Sequence, residues 1–204
     1  MLIKGFPLGV MAANCYLAET DDAVFVVDPS DYDVRIADFL RQSGDKEKFI
    51  LLTHCHFDHI MGADRIRELF GAKIVIGEKD DAGLANASLN LSKLFGCDSK
   101  PFVADIKVTD KQVINIGKTK LEVIETPGHT AGSVCYKIED VIFTGDTLFE
   151  GSVGRTDFPT GDFSALKESL EKLKKLAVLG DLTLYTGHGN KTTLSHEIKT
   201  NPYM

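Results

Sequence analysis

Four apolar runs in this chain each end in a turn that carries histidine or aspartate, and that recurrence limits the fold more than any other feature. Phe49-Ile50-Leu51-Leu52 runs directly into Thr53-His54-Cys55-His56-Phe57-Asp58-His59. Leu121 to Glu125 leads into Thr126-Pro127-Gly128-His129, Val141 to Gly145 into Asp146, and Leu182 to Tyr185 into Thr186-Gly187-His188. Short β-rich runs bounded by turn residues read as strands. Glycine close to these polar residues allows the tight backbone that a crowded site needs. Four such strand ends can converge at one edge of a β core, where α/β folds commonly place their sites.

The rest of the chain supplies the covering layers. Cys15 to Glu19 and Val24 to Asp28 read as strands around the turn Thr20-Asp21-Asp22. Asp33 to Gln42 carries a helical apolar spacing that stops near Gly44, and Ala63 to Phe70 reads as a helix ended by Gly71. Lys73 to Ile76 is the next strand. Glu78 to Phe95 is small, polar and weakly periodic, which suits short helices. Gln112 to Ile116, Lys120 to Glu125, Ser133 to Ile138 and Val141 to Thr144 form a second β-rich region. Phe163 to Leu179 has Leu166, Leu170, Leu173 and Leu176 at helical spacing, Leu182 to Tyr185 is a last strand, and Ser195 to Lys199 a short helix with Ser195 as its cap. Each half gives strands first and then alternating helices and strands. That pattern predicts helices packed outside a β core, an α/β (α+β) domain spanning residues 1–204.

Charge narrows the partners. Net charge is −7, which argues against nucleic acid or an anionic membrane surface as a partner. The lysines of Lys167 to Lys175 alternate with Glu and Leu and read as the wet face of a helix. No run is long enough for a transmembrane span, and the first residues lack the pattern of a signal peptide. Cys15, Cys55, Cys97 and Cys135 form no CxxC pair. A reduced cytoplasmic protein is the expectation.

The candidate site is then His54, His56, Asp58, His59, His129, Asp146 and His188, which takes five of the six histidines and leaves only His196, read as a surface residue. Seven nitrogen and oxygen ligands are too many for one tetrahedral ion with an open position. They suit two divalent ions that share a bridging carboxylate and a bridging water. With no thiolate in the set, zinc is expected first, and iron and manganese are compatible. Cys55, between two candidate ligands, and Cys15 read as packing residues. Asp28, at a strand end before Pro29, reads as a turn residue, with the orienting of a ligand histidine as the alternative.

The HxHxDH of His54 to His59, followed by the separated His129, Asp146 and His188, resembles the signature of the metallo-β-lactamase fold superfamily. The resemblance implies a four-layer αββα sandwich with the site at one edge of two facing sheets. It also implies a division of ligands: His54, His56 and His129 for one ion, Asp58, His59 and His188 for the other, and Asp146 as the bridge. Within the superfamily, Thr126-Pro-Gly-His-Thr130, Gly132-Ser133, Phe143-Thr-Gly-Asp-Thr-Leu-Phe149 and Gly154-Arg-Thr-Asp157 are similar to the glyoxalase II type, the hydroxyacylglutathione hydrolases. Asp146 stands where β-lactamases proper generally carry Cys or Ser. The chain stops at Met204, so the helical C-terminal extension of long glyoxalase II enzymes has no counterpart, and the likeness is to the short bacterial branch.

What this implies is a dinuclear metal-dependent hydrolase that cleaves a small-molecule thioester with a metal-activated water. Asp58 would combine ligation with proton transfer. Arg155 is the candidate for binding a substrate carboxylate; a salt bridge to Asp157 or Asp162 that pins the loop is the alternative. A lactonase or other ester hydrolase, and a non-haem iron oxygenase resembling the persulfide dioxygenases, are the competing readings.

Overall fold

The computed structural model describes residues 1–97 and 99–204. The first sheet takes strands in sequence order: β1 (Leu2–Leu8), β2 (Ala13–Glu19), β3 (Ala23–Val27), β4 (Glu47–Leu52), β5 (Lys73–Gly77) and β6 (Ile106–Val108). β1 to β3 pair antiparallel and β3 to β6 parallel. In the second sheet β7 (Val113–Ile116), β8 (Thr119–Glu125), β9 (Val134–Ile138) and β10 (Val141–Gly145) form a meander. A two-stranded ribbon follows, β11 (Leu148–Phe149) with β12 (Ser152–Val153); the sheet then continues through β13 (Thr183–Thr186), parallel to β10, and ends on β14 (Thr192–Thr193). Helices α1 (Val34–Gln42), α2 (Phe57–Ile60), α3 (Ala63–Phe70), α4 (Ser92–Phe95), α5 (Phe163–Lys174) and α6 (Leu194–Thr200) complete the chain.

Side-chain alternation explains the layering. On β3, Ala23, Phe25 and Val27 meet Leu121, Val123, Tyr136 and Phe143 of the second sheet, whereas Val24 and Val26 meet Ile36, Leu40 and Ile66 of α1 and α3. On the far side Cys135, Ile142 and Leu184 pack against Leu166, Leu170 and Leu173 of α5 and Leu194 of α6. A sheet apolar on both faces must be covered on both, which gives the order helix, sheet, sheet, helix. The αββα expectation is met. Among the described residues, no helix is long and apolar enough to cross a membrane.

Local chemistry fixes most element ends. Asp33 caps α1 by accepting from the Arg35 amide, Asp162 caps α5 by accepting from Ser164 and Ala165, and Gly71 closes α3 in the left-handed region. Two expectations need correction, and one strand was not foreseen. α6 is capped by Thr193, whose side chain accepts from the His196 amide, and not by Ser195. The helix from Phe163 tightens into a 3-10 segment over Lys175–Leu179, beyond which Gly180 turns away at φ 113°. The N-terminal residues form β1, a mostly exposed strand paired along its length with β2.

Candidate metal centre

The four strand ends meet at one edge of the sandwich, and cross-sheet contacts hold them there. The Val134 amide donates to Thr53 O (2.9 Å) and the Asn14 amide to Gly187 O (2.7 Å). Tyr16 Oη and Asn14 Nδ2 both donate to Thr186 O, at 2.7 and 3.0 Å. Gly145 sits at φ 48°, and a Cβ there would strike Thr53 Oγ1; a Cβ on Gly187 would strike Asp146 Oδ1. Those two glycines let β10 and β13 approach the β4 end closely enough for the polar residues to share one space.

All seven residues come together. Nitrogen and oxygen atoms of His54, His56 and His129 lie within 4.8 Å of one another, as do those of Asp58, His59 and His188, and those of His54, His59 and Asp146. Asp146 stands between the first two groups: Oδ2 is 3.5 Å from His129 Nε2 and 3.7 Å from His188 Nε2, and Oδ1 is 3.5 Å from His59 Nε2. Asp58 Oδ2 lies 3.4 Å from His188 Nε2 and 3.7 Å from His59 Nε2. His196 lies exposed on α6, away from the cluster, and Cys55 is buried with its amide donating to Asp80.

Three imidazoles are oriented by oxygen acceptors. His59 Nδ1 donates to Asp28 Oδ2 (3.0 Å), and His129 Nδ1 donates to the Arg155 carbonyl (2.7 Å). Thr53 Oγ1 donates to Asp28 Oδ2 (2.7 Å), so its lone pairs face His54 Nδ1 at 3.1 Å. With the proton on Nδ1, each of these rings in its neutral form presents the lone pair of Nε2. Asp28 thus fixes His59 directly and His54 through Thr53, and it also accepts from the Thr53 amide (2.8 Å). The turn reading of Asp28 was incomplete: it occupies a turn at φ 47°, and from there it orients two of the histidines.

The electrostatics follow from packing so many titratable groups together. Burial, helped by the neighbouring imidazoles, pushes His54 far below the ordinary histidine range and His56 down to about 3. His59 goes the other way. Burial opposes its charge, but the carboxylates of Asp146, Asp58 and Asp28 outweigh it and raise the pKa to about 10. Burial would raise Asp58, yet the imidazoles of His59 and His188 hold it well below the carboxylate range.

These residues fit divalent ions. His54 Nε2, His56 Nε2, His59 Nε2 and Asp146 Oδ1 are buried with no hydrogen-bond partner. Orphaned buried polar atoms are costly, and four in one cluster imply a missing common partner. Imidazole and carboxylate donors suit zinc, iron or manganese.

The cluster forms the floor of a cleft of about 240 Å³. Its walls include Met11, Leu91, Phe95, Phe149 and Phe158. Arg155 lines it too. Its Nε and Nη2 donate to Asp157 Oδ1 and Oδ2, both at 2.6 Å, and its guanidinium lies 4.0 Å from the Phe158 ring centre. The salt-bridge reading of Arg155 therefore describes its geometry; Asp162, the other acid considered, serves as the α5 cap. Sequence reasoning missed Asp80, which is buried and accepts from Cys55 N (2.9 Å), Thr130 Oγ1 (2.7 Å) and Gly132 N (2.8 Å). It ties the His54–His59 run to the His129 turn. An aspartate in a polar stretch after a strand gave no local sign of that role.

An αββα sandwich with a histidine- and aspartate-rich centre at one edge of two facing sheets defines a class of metal-dependent hydrolases. A profile of the metallo-beta-lactamase superfamily matches residues 8–188, and the chain belongs to that family. It is 30% identical to the hydroxyacylglutathione hydrolase GloC of Haemophilus influenzae, over 100% of this chain and 98% of that one. In structure it is similar to the B3 metallo-beta-lactamase BLEG-1, at 34% identity and TM-score 0.89 over 99% of both chains. It is also similar to TTHA1623 in a di-iron-bound form, at 30% identity and TM-score 0.85 over 98% of this chain and 100% of that one.

Proposed function

We propose that the protein hydrolyses small-molecule thioesters, the class to which the hydroxyacylglutathiones belong, at a dinuclear centre. His54, His56 and His129 would hold one divalent ion and Asp58, His59 and His188 the other, with Asp146 the residue shared between them. The observation that carries this reading is the convergence of seven nitrogen and oxygen donors, four of whose buried atoms have no partner within the protein. Two bound ions would lower the pKa of a shared water and polarise the substrate carbonyl.

The remaining work falls to the chain. Water adds to the carbonyl carbon, the carbon–sulfur bond breaks, and a carboxylic acid and a thiol leave. A thiolate needs little help to depart, which suits a cleft without a separate acid. Asp58, whose Oδ2 faces His59 and His188, takes the proton of the attacking water and passes it to the departing thiolate. Asp28, Thr53 and the Arg155 carbonyl keep the imidazoles in register. Arg155 contacts the substrate at the cleft wall. The GloC likeness supports thioesters over lactones as substrates, and the complete second group of donors beside Asp146 supports two ions over the single iron of an oxygenase.

The test is a panel of S-lactoylglutathione, simple acyl thioesters, lactones and a β-lactam, assayed on wild type and Asp58→Ala with metal content measured. The expected outcome is thioester turnover that falls at least 100-fold in the variant, the scale of a lost positioned proton acceptor. Turnover confined to lactones or the β-lactam would sink the proposal.

A further inference from the structure

The cleft above the metal centre is walled by hydrophobic side chains from three separate parts of the chain. Met11 comes from the β1–β2 turn, Leu91 and Phe95 from the α4 segment, and Phe149 and Phe158 from the stretch after Asp146. Met11 and Phe95 are each 45% exposed, and their neighbours Val10 and Leu94 are more exposed still, so the apolar lining continues out over the rim. Phe95 is held in place by stacking on Phe57, with ring centres 5.1 Å apart. Exposed apolar side chains clustered at a cleft mouth mark a binding surface rather than stray surface residues.

Charge points the same way. Among the described residues lining the cleft, Arg155 is the one Lys or Arg, and Asp157 already satisfies its guanidinium through two contacts of 2.6 Å. A substrate carboxylate must displace that internal partner, whereas an alkyl chain meets a ready surface. The cleft of about 240 Å³ is open at its rim, so a short acyl chain can lie on the wall while the rest of a thioester extends outside.

We propose that the Met11–Leu91–Phe95 wall is an acyl pocket, and that the protein prefers neutral thioesters or esters with a short apolar acyl chain over anionic hydroxyacylglutathiones. The wall is continuous with the donor cluster at the floor, so the group it grips is attached to the carbonyl that reacts there. This rests on the hydrolase reading above and narrows its substrate.

The test uses metal-loaded protein and N-acetylcysteamine thioesters with acyl chains of two, four, six and eight carbons, beside S-lactoylglutathione. Each added methylene that reaches the wall should raise kcat/KM about fourfold, the factor for burying a methylene, until the pocket is full. Phe95→Ala should lower the six-carbon to two-carbon ratio of kcat/KM at least fivefold. Met11→Ser, at a turn residue that is 45% exposed, should lower it in the same direction. A flat series, a preference for S-lactoylglutathione, or unchanged ratios in both variants would overturn the acyl pocket while leaving the hydrolase reading intact. No turnover of any thioester or ester by metal-loaded wild type would overturn both.

Discussion

At the residue scale, the site depends on three oxygens that would touch no substrate. Asp28, Thr53 and the Arg155 carbonyl receive the Nδ1 protons of His59, His54 and His129 and turn each Nε2 toward the cluster, where those of His59 and His54 have no partner. Asp28→Asn keeps the shape but replaces one acceptor oxygen with a donor, so either His59 and the Thr53 hydroxyl lose their shared acceptor or the Thr53 amide loses its own. Metal affinity, measured by competition with a chromophoric chelator, should fall 10- to 100-fold, the range seen when such outer partners are lost. Affinity within twofold of wild type would mean that Asp28 is a turn residue and no more. The donors themselves were legible in the sequence because each follows an apolar strand through a tight turn. Asp28 was not, because an aspartate before proline looks the same whether it caps a turn or steers a histidine.

At the scale of elements, α5 matters because it fixes the end of β8, from which His129 is presented. Lys172 Nζ donates to the Glu125 carbonyl (2.6 Å) and to Asp110 Oδ1 (3.0 Å), and Asp110 Oδ1 also accepts from the Glu125 amide (2.9 Å). Burial alone would raise the Asp110 pKa, but its bonds to Lys172 and the Glu125 amide outweigh it and leave the pKa below the usual value. A carboxyl whose folded pKa is lowered adds stability above its unfolded pKa and loses it as pH falls through the folded one. Asp110→Asn should therefore be less stable than wild type at pH 6, by about 1 kcal/mol or less because the pair is partly exposed. The two urea midpoints should converge as pH falls below about 4, where a free carboxyl takes up its proton. A gap that stays constant from pH 6 to pH 3 would place the effect elsewhere. Elements with a buried face and a clear cap, such as α1 and the start of α5, could be read from the sequence almost to the residue. β1 could not: it is an edge strand, mostly exposed and interrupted by Gly5 and Pro7, and only its pairing with β2 makes it a strand.

At the scale of the whole molecule, the site exists because two sheets are locked face to face. Tyr136 is fully buried between them, and its hydroxyl lies 3.0 Å from Leu52 O and 3.2 Å from Val75 O, reaching from the second sheet to the strand that carries His54 to His59. Tyr136→Phe removes that donor and should cost about 1–2 kcal/mol in urea unfolding. An unchanged midpoint would show that the contact contributes nothing across the interface. The layer order followed from period-2 strands that are apolar on both faces. The cleft walls did not, because Met11, Phe95 and Phe158 are far apart in sequence and their exposure has no periodic signature; only the closed fold brings them above the donors.

The central claim is that the seven donors form one hydrolytic centre for two ions. It is tested most directly by titrating metal-free protein with zinc and with ferrous iron, and following bound metal and thioester hydrolysis on the same sample. Hydrolysis should keep rising until about two ions per chain are bound, and Asp146→Asn should break that relation. Full activity at one ion, or folded protein that binds no more than one, would contradict it.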